Sequence, residues 1–132
     1  MDVIALVGPS GTGKSHRASL VAYDHDIDLI IDDGLLIKES RILAGESAKR
    51  EATMMGAIRR ALFSNEEHAS EVRQALDQQQ PRHVLVLGTS RGMVNQICDV
   101  LTLPRPSRYI GIEEVASPNQ IRKARRICKE EG

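Results

Sequence analysis

Eight consecutive residues, Gly8-Pro9-Ser10-Gly11-Thr12-Gly13-Lys14-Ser15, fit the spacing G-x-x-x-x-G-K-[ST]. The residue types suit the cradling of phosphate oxygens. Gly8, Gly11 and Gly13 allow backbone conformations closed to other residues and a close approach of the chain to an anion. Pro9, Ser10 and Thr12 fill the loop between them. The loop amides can then point inward, and a following helix adds its positive N-terminal end. Lys14 is a compact, flexible cation suited to terminal phosphates. The Ser15 hydroxyl is a hard oxygen ligand of the kind Mg²⁺ takes while keeping most of its waters.

Such a loop works only at a strand-to-helix turn, and the flanking sequence supplies one. Val3-Ile4-Ala5-Leu6-Val7 is an apolar, β-favouring run of the kind found in buried parallel strands. Lys14 to Tyr23 can form a helix with Ala18, Val21 and Ala22 on one side.

Further along, Leu29-Ile30-Ile31 reads as a second strand ending in Asp32-Asp33-Gly34. Two short apolar runs, Leu35-Leu36-Ile37 and Arg41-Ile42-Leu43-Ala44-Gly45, flank the polar trio Lys38-Glu39-Ser40 and predict a hairpin-like insert near 35–45. Ser47 to Phe63 reads as one helix, with Ala48, Ala52, Met55, Ile58 and Leu62 along one face. A capping box at Ser64-Asn65-Glu66-Glu67 starts another, which carries Val72, Ala75 and Leu76 and stops before Pro81. His83 to Leu87 is the third strand. Gly92 to Leu101 is a helix with Met93, Ile97 and Leu101 inward, and Tyr109-Ile110-Gly111-Ile112 is the fourth strand. Ser117-Pro118-Asn119-Gln120 has the cap, the early proline and the glutamine that open a last helix. This alternation predicts an α/β domain over 1–132, with a parallel sheet, right-handed crossovers and helices on both faces. A helix at the chain's end is expected either of a minimal unit or of the N-terminal portion of a longer protein with a C-terminal domain.

Through Gly8–Ser15 the chain resembles the P-loop NTPase superfamily. The resemblance implies a three-layer P-loop fold whose parallel strands run in the order second, third, first, fourth (2-3-1-4). It also implies an acid at the end of an apolar strand, near the Mg²⁺ shell. The third strand ends in Gly88-Thr89-Ser90-Arg91 and offers no carboxylate. The second ends in Asp32-Asp33, at the strand edge where ligands bind in open α/β sheets. On this reading Asp32 is the metal-side acid and Asp33 stands where many ATPases place a water-polarising acid. The alternative is a simple turn, since aspartate before glycine is common where a chain reverses. Thr89 and Ser90 resemble a polar sensor. Arg91, like Arg105 and Arg108 of the Pro-rich loop before the fourth strand, could clamp a phosphate bidentately, although each taken singly reads first as a solvated loop charge.

Bulk properties exclude several other classes. Lysines plus arginines and aspartates plus glutamates each number 18, so the formal net charge is zero. That argues against nucleic-acid binding through a broad basic face. Aromatics are 2% of residues, too few for base-stacking platforms. Cys98 and Cys128 have no metal-binding spacing and read as reduced thiols, as in a cytoplasmic protein. No apolar run reaches membrane-spanning length.

The expected ligands are ATP, in the absence of a guanine-reading Asn-Lys-x-Asp segment, and Mg²⁺. Three functions are compatible with them. One is a phosphohydrolase or nucleotide-driven switch using Lys14, Ser15 and Asp32 or Asp33. Another is a small-molecule kinase in which the 35–45 insert covers an acceptor. The last is a nucleotide-sensing interaction module with little turnover that works through a protein partner.

Overall fold

The computed structural model describes residues 1–116 together with Asn119, Arg122 and Lys123. The last predicted helix therefore lies largely outside the described residues. Six strands form one mixed sheet: β1 (Asp2–Val7), β2 (Leu29–Asp32), β3 (Leu35–Lys38), β4 (Arg41–Gly45), β5 (His83–Gly88) and β6 (Arg108–Gly111). Their order is β4-β3-β2-β5-β1-β6. β2, β5, β1 and β6 are mutually parallel. They stand in the order expected for the second, third, first and fourth predicted strands. β3 and β4 extend the β2 edge antiparallel, so the sheet as a whole is mixed.

The hairpin between β3 and β4 turns through two residues, Glu39 and Ser40, with φ of 51° and 65°. Two left-handed residues in succession match the twist of the flanking strands. Lys38 belongs to β3 and pairs with Arg41, so the polar trio predicted as the connection is one residue too long.

The helices are α1 (Lys14–Asp24), α2 (Met54–Ala61), α3 (Glu66–Gln79) and α4 (Arg91–Val100). The strands at the centre are apolar on both faces, and each face has its own core. Ile4, Leu6, Leu85, Leu87 and Ile110 pack with Ala18, Val21 and Ala22 of α1. Val3, Ala5, Leu29, Ile31, Val84 and Val86 pack on the opposite side with Val72 and Leu76 of α3 and Val94 and Ile97 of α4. Helices thus cover both faces of the sheet. Among the described residues no helix is long and apolar enough to cross a membrane.

The region 47–63 departs from the single helix its periodicity predicts. Ser47 caps one 3-10 turn, Ala48–Arg50, by accepting from the Lys49 amide. The chain then extends, and Thr53 caps α2 by accepting from the Gly56 amide at 2.9 Å. Two capping side chains six residues apart compete with a continuous helix and win. Of the predicted apolar face, Ala48 is buried and Met55 and Ile58 are largely exposed.

Phe63 ends the segment at φ 56° and stacks on His68 with 4.6 Å between ring centroids. The next helix is capped by Asn65, not Ser64, through the His68 amide at 2.9 Å. Ser90 caps α4, whose buried residues are Val94, Ile97 and Cys98; Met93 is half-buried. Ile112 leaves the fourth strand and opens a 3-10 turn.

Candidate functional site

The carboxyl ends of the parallel strands bring the predicted residues to one edge. β1 runs straight into the glycine loop, and the Gly8 amide donates to Gly88 O of β5 at 3.1 Å. Gly8 is fixed in type by its surroundings, because a Cβ there would lie 2.5 Å from Ile112 Cγ2. Pro9 and Ser10 form the exposed tip. Thr12 is buried, and its hydroxyl closes the loop by donating to Pro9 O at 2.6 Å. Gly13, at φ 86°, turns the chain into α1, whose first residue is Lys14. The unpaired amides of the first helical turn therefore face the loop.

Lys14 Nζ lies back over the loop and donates to Gly8 O at 2.6 Å and to Pro9 O at 3.0 Å. Burial lowers its pKa from the ordinary lysine value, and the charge of Asp32 opposes that shift. Ser15 Oγ donates to Asp32 Oδ2 at 2.6 Å. Asp32 comes from β2, and β5 stands between β2 and β1. The contact thus reaches across the end of an intervening strand.

Burial raises the Asp32 pKa, the hydrogen bond from Ser15 opposes the shift, and the neighbouring Asp33 charge adds to it. For the folded protein this has a definite sign. Ionising Asp32 is harder in the native state than in the unfolded chain. Its contribution to stability is therefore present at low pH and is lost as pH rises through the raised pKa. An NMR titration is expected to give Asp32 a midpoint above the usual aspartate range, and Ser15→Ala should raise it further by removing the donor. A normal midpoint in both proteins would refute this electrostatic description.

Asp33 is held differently. At φ 56° its side chain turns away from Ser15 to accept from Ser47 Oγ at 2.7 Å, and its carbonyl accepts from the Ala48 amide at 2.9 Å. Thr89 is exposed, and its amide and hydroxyl both face Met93 Sδ at 3.3 Å. The Arg91 guanidinium sits 4.7 Å above the Tyr109 ring. Arg105 forks onto the Asp99 carboxylate at 3.2 and 2.8 Å. Arg108 faces His25 Nε2 at 3.4 Å. The structure therefore joins Gly8–Ser15 with Asp32, and it occupies Asp33, Arg91, Arg105 and Arg108 with other partners.

Sequence reasoning missed the anchor of Asp33. Ser47 is 14 positions away and has no local signature linking it to that residue. Cys98 is a core thiol, and burial pushes its pKa up to about 11.

A cation, the free amides of a helix N-terminus, a hydroxyl and a carboxylate can together hold a phosphorylated ligand with a divalent ion. The donor set fits Mg²⁺: Ser15 Oγ and Asp32 Oδ2 are adjacent hard oxygens, and that ion takes few protein ligands beside phosphate and water. Among the described residues, no cluster of three or more His, Cys, Asp or Glu side chains is assembled for a metal. Comparison with protein-family models, with curated proteins and with solved structures finds no match.

Proposed function

We propose that this chain is a P-loop domain that binds ATP with Mg²⁺ through Gly8–Ser15 and acts as a phosphohydrolase or nucleotide-driven switch. The observation that carries the reading is the 2.6 Å hydrogen bond from Ser15 to Asp32 at the mouth of the loop. It unites the hydroxyl of the phosphate motif with a carboxylate some seventeen residues away, at the carboxyl edge of parallel strands. The parallel order β2-β5-β1-β6 supports the three-layer fold implied by the motif.

In this reading the loop amides and Lys14 bind the β- and γ-phosphates and stabilise charge on the transferring group. Ser15 and Asp32 would hold Mg²⁺, which would supply charge neutralisation at the phosphate oxygens. Asp32 also lowers the cost of burying Lys14 by lying near it.

The strand arrangement favours hydrolysis or switching over transfer to a small acceptor. In the kinase branch the acid strand lies beside the loop strand. Here β5 separates β2 from β1. The 35–45 hairpin, which the kinase reading needs as a substrate cover, lengthens the far edge of the sheet instead.

Titration with ATP, with and without Mg²⁺, is expected to give Mg²⁺-dependent binding. A hydrolysis assay on the same sample should then release phosphate without an added acceptor. Binding with no release would leave a sensing module, and release only with an acceptor would establish the kinase.

A further inference from the structure

α2 is an amphipathic helix whose apolar face looks outward. Met54, Met55 and Ile58 have the spacing of one helical face, yet they are 82%, 59% and 49% exposed, and no residue of α2 is buried. A helix of eight residues is marginal in water by its backbone bonds alone, and such helices ordinarily gain stability by burying an apolar face. Here that face meets solvent, and polar contacts hold the helix instead. Arg60 reaches Glu51 at 2.9 Å and Glu46 at 3.4 Å, and Thr53 caps the first turn. Two methionines and an isoleucine exposed together on one short element form an adaptable apolar patch, as docking surfaces do.

The charges around the patch are segregated. Lys49, Arg50 and Arg59 are exposed and enter no ion pair among the described residues. Within 49–62 the sole carboxylate is Glu51, and Arg60 occupies it. α3 carries the opposite sign. Its residues Glu66, Glu67 and Glu71 line an open groove with Ser70 and Gln74. Glu67 and Glu71 enter no ion pair among the described residues. The two helices adjoin across the end of β4, where Glu46 binds Arg60 of α2 and the Gly45 amide donates to Glu71 of α3 at 2.7 Å. A basic, apolar helix thus stands next to an acidic one in a chain of zero net charge.

We propose that a second copy of this chain covers this surface, in a two-fold dimer in which α2 of each protomer lies against the acidic groove of the other's α3. A two-fold contact joins a surface to itself and therefore has to be self-complementary, a condition that adjacent helices of opposite sign meet. Met54, Met55 and Ile58 are enclosed between the copies and leave water. Lys49, Arg50 and Arg59 face Glu67 and Glu71 of the partner subunit. Both helices are needed, because α2 alone is about 12 Å long and too small for the roughly 1,000 Å² that a specific interface buries. An anionic membrane or an acidic protein would suit α2 and be repelled by the carboxylates beside it. The inference is independent of the nucleotide reading.

The test is sedimentation velocity over a concentration series, without nucleotide, on the wild-type chain and four variants: Met55→Glu, Arg59→Glu, Glu67→Lys and the double variant Arg59→Glu/Glu67→Lys. The wild type is expected to dimerise with a Kd of about 1–100 μM, the weak end for an interface of this size. Met55→Glu should weaken the dimer about thirty-fold or more, the scale of a central interface residue. Arg59→Glu and Glu67→Lys should each weaken it about ten-fold by setting like charges opposite one another, and the double variant should regain most of the wild-type affinity. Circular dichroism checks that each variant is folded. Should Met55→Glu fail to fold, Met54→Glu, at a more exposed position, carries the same test. A wild-type chain that stays monomeric throughout, a dimer indifferent to Met55→Glu, or a double variant no better than the two single ones would overturn the proposal. So would a monomer that binds phosphatidylglycerol vesicles and loses them in Met55→Glu, which would assign the face to a membrane surface instead.

Discussion

Lys14→Ala is expected to weaken Mg·ATP binding by about 1.5–3 kcal/mol, the cost of losing a hydrogen bond to a charged group. Calorimetric titration of a folded sample checks it, and unchanged affinity would remove Gly8–Ser15 from consideration as a nucleotide site. Without ligand the lysine satisfies itself on Gly8 O and Pro9 O. Those bonds must yield when phosphate enters, so the measured loss is a difference between two hydrogen-bonded states. On the proposed reading, the same residue should give the binding an alkaline limit. Burial lowers the Lys14 pKa, so its charge in the free protein is lost at lower pH than for an ordinary lysine. Affinity should accordingly decline as pH rises through that lowered value. Bound phosphate favours the charged form, so binding and proton uptake are coupled there.

The second large effect is on stability. Phe63→Ala is expected to cost about 3–5 kcal/mol, the range for emptying a buried aromatic site. Phe63 is 1% exposed and stacks on the buried His68. His68 Nε2 in turn faces Gly34 O at 2.8 Å and the Glu46 amide at 3.3 Å. The ring pair thus fills the space under both ends of the β3–β4 hairpin, immediately beyond Asp33. Denaturant unfolding of the two proteins measures the loss. A change under about 1 kcal/mol would show that the site collapses around the missing ring and that the pair is not tightly packed. Small domains have total stabilities of about 5–15 kcal/mol, so the expected loss is a large share.

The glycine loop, its strand and its helix were legible because each depends on adjacent residues. So was the order of the four parallel strands, which right-handed crossovers and the resemblance restrict to few choices. The Asp32-Asp33 pair was legible only as a pair. Adjacent residues on an extended chain point to opposite sides, and the left-handed turn at Asp33 sends its carboxylate to Ser47 while Asp32 meets Ser15.

The break at 51–53 was hidden by a real periodicity. Ala48, Ala52, Met55, Ile58 and Leu62 do have helical spacing, but α2 buries none of its residues fully. Its position is set by polar contacts that periodicity does not report. Arg60 binds Glu51 at 2.9 Å and Glu46 at 3.4 Å, and holds the helix to the hairpin base.

The pairing of β1 has a consequence for how the protein comes into being. β1 is made first, yet its neighbours in the sheet begin at His83 and Arg108, roughly eighty and one hundred residues later. Gly8 is fixed against Gly88 and Ile112, which are equally distant in sequence. During synthesis the glycine loop leaves the ribosome early and then waits, without the strands that hold it open, until β5 and β6 have followed. The native setting of the glycine loop is therefore among the last parts of the domain to form, although it is encoded among the first. A nascent chain ending before β6 would carry the complete motif and still lack Ile112, against which Gly8 packs.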